Sequence, residues 1–330
     1  MLDLERLERI KLYRRPVGQI LIGNVVLWPD YNIPTRRTEI VLEGVENLPR
    51  WGGAFLAMNH TDRFNYFPLQ YRMYRLGLPF TATWVKGKYY ENNTIGAALD
   101  LTNNIPLPSR GYVITTEFRK ATGRPPDEKE YRLMRDLVDG KRAADAPLPD
   151  DAGASLEEFL HGTTGSAEQF IEHFDGLFDR MIRRVVELNR RAIRDLQIDV
   201  LVFPEGTRSR RLGRGHNGLA QISQHLAADV IPIGCNGSDR LYPGNKPFSR
   251  GGRVVYRIGK PLSVDGRELG PYRVEDNVLP FTSEASRRHG ERYTAITRVV
   301  MDHINDLLDP EYQRSGDEAA GGTRGVERFV

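Results

Sequence analysis

The chain has 330 residues, 39 % of them apolar and 28 % charged, so it is long enough for one large domain or two small ones and is not globally disordered. Lys and Arg total 47 against 44 Asp and Glu, a net charge of +3, which is weaker than the basic bias of a nucleic-acid binder. Cys235 is the only cysteine, which excludes an internal disulfide and a cysteine-rich metal site and fits a reducing compartment.

Residues 2–15 place Leu4, Leu7 and Ile10 among Glu5, Arg6, Glu8, Arg9, Lys11, Arg14 and Arg15. This spacing predicts an amphipathic helix ended by Pro16, either packed on the core or resting on lipid head groups. Its charge density does not suit a signal peptide. The longest apolar run, Gly18 to Trp28, contains Gln19 and Asn24 and is too short to span a bilayer. Strands are expected at 38–44 and from Ala54 to Met58, then a helix over 65–76, then strands at 80–85 and 103–107. Residues 120–166 are polar and rich in Pro, Gly, Asp and Arg, and read as a surface insertion that is helical around 128–139. Ser166 and Gln169 form a capping-box pattern. Phe170, Phe174, Leu177, Met181, Val185 and Leu188 follow at helical spacing. Apolar strands follow at 199–203, 229–234 and 253–258, and an amphipathic helix at 293–308 is stopped by Pro310. The residues after 313 are Gly- and charge-rich and are expected to be disordered. There is no internal repeat. The alternation of strands and helices predicts an α/β sandwich.

Four segments at strand ends carry candidate chemistry. The first is Asn59-His60-Thr61-Asp62-Arg63-Phe64-Asn65, where a buried strand meets a helix. A histidine held there is a suitable general base, although a lone histidine is more often structural. The second, Phe203-Pro204-Glu205-Gly206-Thr207-Arg208-Ser209-Arg210, follows a fully apolar strand. Its turn offers backbone N–H groups and guanidiniums to an anion. The third is Ile105-Pro106-Leu107-Pro108-Ser109-Arg110-Gly111, and the fourth is Val230-Ile231-Pro232-Ile233-Gly234, a strand interrupted by proline. Gly213, Gly215 and Gly218 match G-x-G-x-x-G, with Asp239 about 20 residues on, but they do not directly follow a strand as a dinucleotide site requires. No G-x-S-x-G elbow, P-loop or paired metal-ligand histidine spacing occurs.

In this order the four segments resemble the lysophosphatidate (1-acylglycerol-3-phosphate) acyltransferase family, of the glycerolipid acyltransferase superfamily, over about residues 40–265. That family's blocks run N-H-x4-D, an arginine block, F-P-E-G-T-R-S and V-I-P-x. The F-P-E-G-T-R-S match is complete. Arg110 falls in the arginine block, with Lys86 and Gly96 before it, and Gly44-Val45-Glu46-Asn47-Leu48-Pro49 resembles the approach to the histidine. Two features depart from the family. Asn65 stands where the family has aspartate, and the segment between the second and third blocks is longer.

The resemblance implies a mixed sheet flanked by helices, glycerolipid-acyltransferase-like, with an N-terminal helical segment over 1–37. An acyltransferase domain would cover 38–312, with an insertion at about 117–166, and a tail 313–330. It implies that His60 takes the proton of an acceptor hydroxyl, which attacks an acyl thioester directly. Arg110, Arg208, Lys86, Glu205, Gly206 and Thr207 would bind a glycerol phosphate end, and the strand around Pro232 would line an acyl groove. The donor would be acyl-CoA or acyl carrier protein and the acceptor a lysophospholipid. No metal, resident cofactor or nucleic acid is implied. The place would be cytoplasmic, peripheral on the inner face of the cell membrane. Asn65, or else Asp62, would support His60, and Asp62 is equally suited to capping the following helix. A carboxylate at position 65 is expected to raise kcat by favouring the charged imidazole. The neutral Asn65 leaves open a catalytically weak or inactive lipid-binding relative, and the acceptor lipid is not fixed.

Overall fold

The computed structural model describes residues 1–149, 153–163 and 165–315. Seven strands form one mixed sheet: β1 (Thr38–Glu43), β2 (Phe55–Met58), β3 (Thr81–Lys86), β4 (Asn104–Leu107), β5 (Asp199–Val202), β6 (Val230–Asn236) and β7 (Gly252–Ile258). Their spatial order is β1-β7-β6-β2-β5-β3-β4. Every pairing is parallel except β6 with β7. The sheet is flanked by helices on both faces, the expected α/β class.

Central strand β2 reads Phe-Leu-Ala-Met with no polar residue because both its faces are covered. Successive side chains point to opposite faces, so Phe55 and Ala57 join one hydrophobic cluster while Leu56 and Met58 join the other. β6 runs unbroken through Pro232, where an interruption is expected from sequence. Its pairing with β7 begins only at Ile233, so the missing proline N–H costs no rung on that side. Pro232 is buried in the sheet.

The sequence expectation for 2–15 is only partly met. The helix covers Leu4–Arg9, and Leu2, Leu7, Ile10 and Leu12 are buried in the main core. It stops because the Arg184 guanidinium donates to the carbonyls of Leu7, Glu8 and Ile10 at 3.4, 3.2 and 2.8 Å. Residues 2–12 therefore pack as a core element, while Tyr13 is half exposed.

The insertion also differs from expectation. Residues 117–122 complete a helix Arg110–Thr122, and a second helix, Glu128–Val138, starts at a full capping box between Asp127 and Glu130. Tyr131, Met134, Leu137, Leu156 and Phe159 are buried with Phe118, Phe170 and Phe174. The segment is thus part of the core, because apolar side chains at helical spacing are dispersed through a polar composition. The long helix Ala167–Arg190 is capped by Ser166, whose Oγ accepts the Gln169 N–H at 3.3 Å. The last helix, Ser283–Asp306, starts ten residues before the expected 293 and departs from helical geometry at His289. The expected disordered tail falls outside the described residues after 315.

Candidate active site

β2 to β6 all run in one direction, so their carboxyl ends lie along one edge of the sheet. The loops that leave this edge carry His60 after β2, Lys86 at the end of β3, Arg110 after β4 and Phe203–Arg210 after β5. In open α/β sheets that edge is where ligands bind.

The β2 and β5 loops are fastened together through backbone groups. The His60 N–H donates to Glu205 Oε1 at 2.8 Å, and the Ser209 N–H donates to the His60 carbonyl at 2.9 Å. The other Glu205 oxygen accepts the Gly213 N–H at 2.7 Å. Glu205 is buried, which pushes its carboxyl up to about 6 against the opposing pull of the two amides. Both its oxygens are occupied by backbone, so Glu205 acts here as a clamp between loops. The expectation from sequence is substrate contact; the contacts present in the structure are these two backbone amides.

The His60 ring is fixed from three sides. Phe203 stacks on it with centroids 4.0 Å apart. The Asn65 side-chain carbonyl lies 3.2 Å from Nδ1. The Asn65 amide is oriented by its other end, which donates to the Asn59 carbonyl at 2.8 Å. That carbonyl can only accept, so Asn65 must turn its own oxygen to the imidazole. The proton therefore sits on Nδ1, and the Nε2 lone pair has no hydrogen-bond partner among the described residues. Burial pushes the imidazole down to about 4, and the positive charges of Arg208 and Lys86 add to this, while the Asn65 hydrogen bond opposes it. His60 is accordingly neutral at physiological pH.

Asn65 is fully buried. Its backbone carbonyl accepts the Tyr256 hydroxyl at 2.6 Å. Asn59 behind it exchanges two hydrogen bonds with the backbone of Cys235 on β6, at 3.0 and 2.7 Å. Sequence inspection misses Tyr256, Cys235 and the stacking role of Phe203. Tyr256 lies 191 positions from Asn65, and no local pattern signals the contact.

Asp62 is in neither expected role. Its oxygens accept the Phe64 N–H at 2.8 Å and the Thr61 hydroxyl at 3.0 Å, which makes a turn. The next helix, Phe67–Arg75, begins later with Tyr66 at its N-cap and Pro68 in its first turn. Asp62 makes no hydrogen bond to the His60 ring.

The cationic residues divide. Arg208 is exposed and has no ion pair among the described residues, while its charge reaches His60. Lys86 is also exposed at the end of β3. Arg110, by contrast, is engaged with the segment after it. Its guanidinium donates to the Val138 carbonyl at 2.7 Å and to Ser283 Oγ at 3.0 Å. It pairs with Asp139 and Asp175 and lies over the rings of Phe174 and Phe178. Its expected role is phosphate binding; in the structure its terminal NH groups contact Val138, Ser283 and Asp175. Gly96 lies in the helix Asn93–Asp100, where an added Cβ would come within 2.8 Å of Arg6. Gly206 has φ +64°, and a Cβ there would meet the His216 ring at 3.1 Å, so both conformation and space favour glycine. Thr207 is partly exposed beside it. Among the described residues, no group of three or more His, Cys, Asp or Glu side chains is placed to hold a metal ion.

The chain matches no protein-family profile and no curated protein. Among solved structures it is similar to the 1-acyl-sn-glycerophosphate (LPA) acyltransferase PlsC from Thermotoga maritima, at 14 % identity over 88 % of this chain and 94 % of that chain, with a TM-score of 0.39.

Proposed function

We propose that the protein is an acyltransferase that moves a fatty acyl group from a thioester donor to the hydroxyl of a lysophosphatidate-like acceptor. The observation that carries this reading is the state of His60. It is neutral, its proton is held on Nδ1 by Asn65, and its Nε2 is unoccupied at the carboxyl edge of the sheet. A neutral Nε2 takes the acceptor hydroxyl proton as that oxygen attacks the thioester carbonyl. The new C–O bond forms, the C–S bond breaks, and the imidazolium returns its proton to the departing thiolate. Exposed Arg208, with Gly206 and Thr207 in the same loop and Lys86 at the end of β3, supplies positive charge for the acceptor's phosphate. The donor is acyl-CoA or acyl carrier protein.

A second reading is a lipid-binding protein with little turnover. It is favoured by Asn65, which offers the imidazolium a dipole and no charge. Purified protein is incubated with acyl-CoA and a panel of lysolipids, and free thiol and esterified lipid are followed. Acyl transfer to a phosphate-bearing lysolipid that His60→Ala abolishes is the expected result. Lysolipid binding without thiol release overturns the enzymatic reading, and transfer only to acceptors lacking phosphate overturns the assignment of Arg208.

A further inference from the structure

We propose that Tyr256 is a positioning residue for His60: by holding the backbone of Asn65, its hydroxyl keeps the imidazole proton on Nδ1 and leaves Nε2 free to take a proton. The inference deepens the acyl-transfer reading, and rests on it for its kinetic measurement alone.

The imidazole is carried by the loop 59–65, between the end of β2 and the helix Phe67–Arg75. That loop belongs to neither ladder. The pairing of β2 with β6 ends at Met58, and the helix begins its own ladder with the Gln70 N–H donating to the Tyr66 carbonyl. The loop is held instead from outside, at both ends, by one rung of the sheet. Cys235 and Tyr256 are directly opposite partners in the antiparallel pairing of β6 with β7. The Cys235 backbone exchanges hydrogen bonds of 3.0 and 2.7 Å with the Asn59 side-chain amide, which fixes the first residue of the loop. The Tyr256 hydroxyl reaches over β6 and donates to the Asn65 carbonyl at 2.6 Å, which fixes the last.

Opposite residues of an antiparallel pair share one face of the sheet, and Tyr256 lies in the same hydrophobic cluster as Cys235, Leu56 and Met58. Burial there pushes its phenol well above the ordinary range, so the hydroxyl keeps its proton and stays a donor. The effect reaches the ring through the Asn65 side chain. Its amide nitrogen donates to the Asn59 carbonyl at 2.8 Å and its oxygen lies 3.2 Å from His60 Nδ1. Both ends of a short side chain are thus committed, and both contacts follow the position of the Asn65 backbone. Without the hydroxyl, the Asn65 carbonyl is a buried acceptor that has lost its donor, and the backbone turns to find another. The side chain moves with it. The imidazole proton is then free to sit on either nitrogen, and a ring protonated at Nε2 is no base for the acceptor hydroxyl.

The test compares the full wild-type chain with Tyr256→Phe by nitrogen NMR of the imidazoles and by steady-state transfer from acyl-CoA to lysophosphatidate. The His60 signals are those missing from His60→Ala. The wild-type ring is expected as one tautomer, protonated at Nδ1, a readout that needs neither turnover nor a Tyr256 variant that folds. Tyr256→Phe should show both tautomers and a kcat about tenfold lower, with donor and acceptor KM unchanged. Tyr112→Phe removes another buried hydroxyl, which accepts the Leu2 N–H at 3.0 Å, and should keep the wild-type tautomer and kcat. A wild-type ring protonated at Nε2, or a folded Tyr256→Phe with the wild-type tautomer and kcat, overturns the proposal. So does an equal fall in kcat for Tyr112→Phe, which would mark general loosening, or a raised acceptor KM at constant kcat, which would make Tyr256 a binding residue. A wild type that transfers to no lysolipid sinks the acyl-transfer reading, while the tautomers still decide the role of Tyr256.

Discussion

Replacing Asn65 by Asp tests the site most directly, because charge and geometry pull in opposite directions. From sequence alone, a carboxylate next to His60 is expected to raise kcat. The structure adds the Asn59 carbonyl, 2.8 Å from the Asn65 amide nitrogen, and complete burial. In the variant, an ionised carboxylate oxygen faces that carbonyl and the lost donor leaves it unpaired. An unmet buried acceptor costs about 1–3 kcal/mol. Protonating the introduced carboxyl restores the pattern, with its O–H donating to Asn59 and its other oxygen accepting from Nδ1. The folded-state pKa of that carboxyl is therefore raised above the unfolded value of about 3.9. A raised carboxyl pKa means the folded state holds the proton more tightly, so stability falls as pH rises above the unfolded value, by about 1.4 kcal/mol per unit until the folded pKa is passed. The expected result is a variant close to wild type at about pH 4, about 1.5 kcal/mol less stable at pH 5 and about 2–4 kcal/mol less stable at pH 8. Its kcat at pH 8 should be about tenfold lower, because the ring loses its fixed orientation. Urea midpoints at both pH values and steady-state acyl transfer make the measurement. A variant as stable as wild type at pH 8 with a higher kcat refutes the reasoning and means that the carboxylate is accommodated as a charged partner of the imidazolium.

His60 should titrate near 4 in the folded protein, followed by NMR of its ring proton. Because its pKa is depressed on folding, the stability this contributes is full above about 6.5 and is lost as pH falls toward 4. A ring titrating near 6.5 contradicts the burial and the cationic surroundings. Glu205→Gln turns an amide NH2 toward either the His60 or the Gly213 N–H, so it should cost about 1–3 kcal/mol in thermal unfolding and lower kcat with it. An unchanged Tm would show that the clamp does not matter. Arg208→Lys should raise the KM for the phosphate-bearing acceptor and leave the donor KM alone, since an ammonium lacks the fork of donors. Arg110→Lys should do the reverse, lowering Tm through lost contacts to Val138, Asp139 and Asp175 while sparing both KM values. Equal effects of the two substitutions on acceptor KM would return Arg110 to the binding site.

The strands were legible because buried parallel strands demand unbroken apolar runs, and Phe55–Met58 and Val200–Val202 are such runs next to motif loops. Helix extents were less legible where distant groups set them. Leu4, Leu7 and Ile10 correctly signal a buried face, but the end at Arg9 depends on Arg184, 177 positions from Leu7. The helical segment Val17–Asn32 has apolar residues on its solvent side and glycines on its packed side, so periodicity gives no amphipathic signal of the usual sense. At the site, the order of the motifs located His60, Asn65 and the Glu205 loop. The division of labour among the charged residues could not be read, because Arg110 meets its partners only through the packing of 128–138 and 167–190.

The seven residues Phe203 to Ser209 also separate into scaffold and chemistry once their contacts are considered. Phe203 supports the imidazole face, Glu205 ties the two loops, and the Ser209 N–H completes the tie at the His60 carbonyl. Gly206 takes the left-handed turn that returns the chain toward His216. Arg208 is the residue in this stretch whose charged group is left exposed with no ion pair among the described residues. The stretch is therefore mostly a device for holding His60 and one guanidinium in fixed relation. The carboxylate in this motif accepts one backbone N–H on each oxygen, so in the structure it ties the two loops together. In the proposed reaction the proton goes to His60, with Asn65 deciding which ring nitrogen is available.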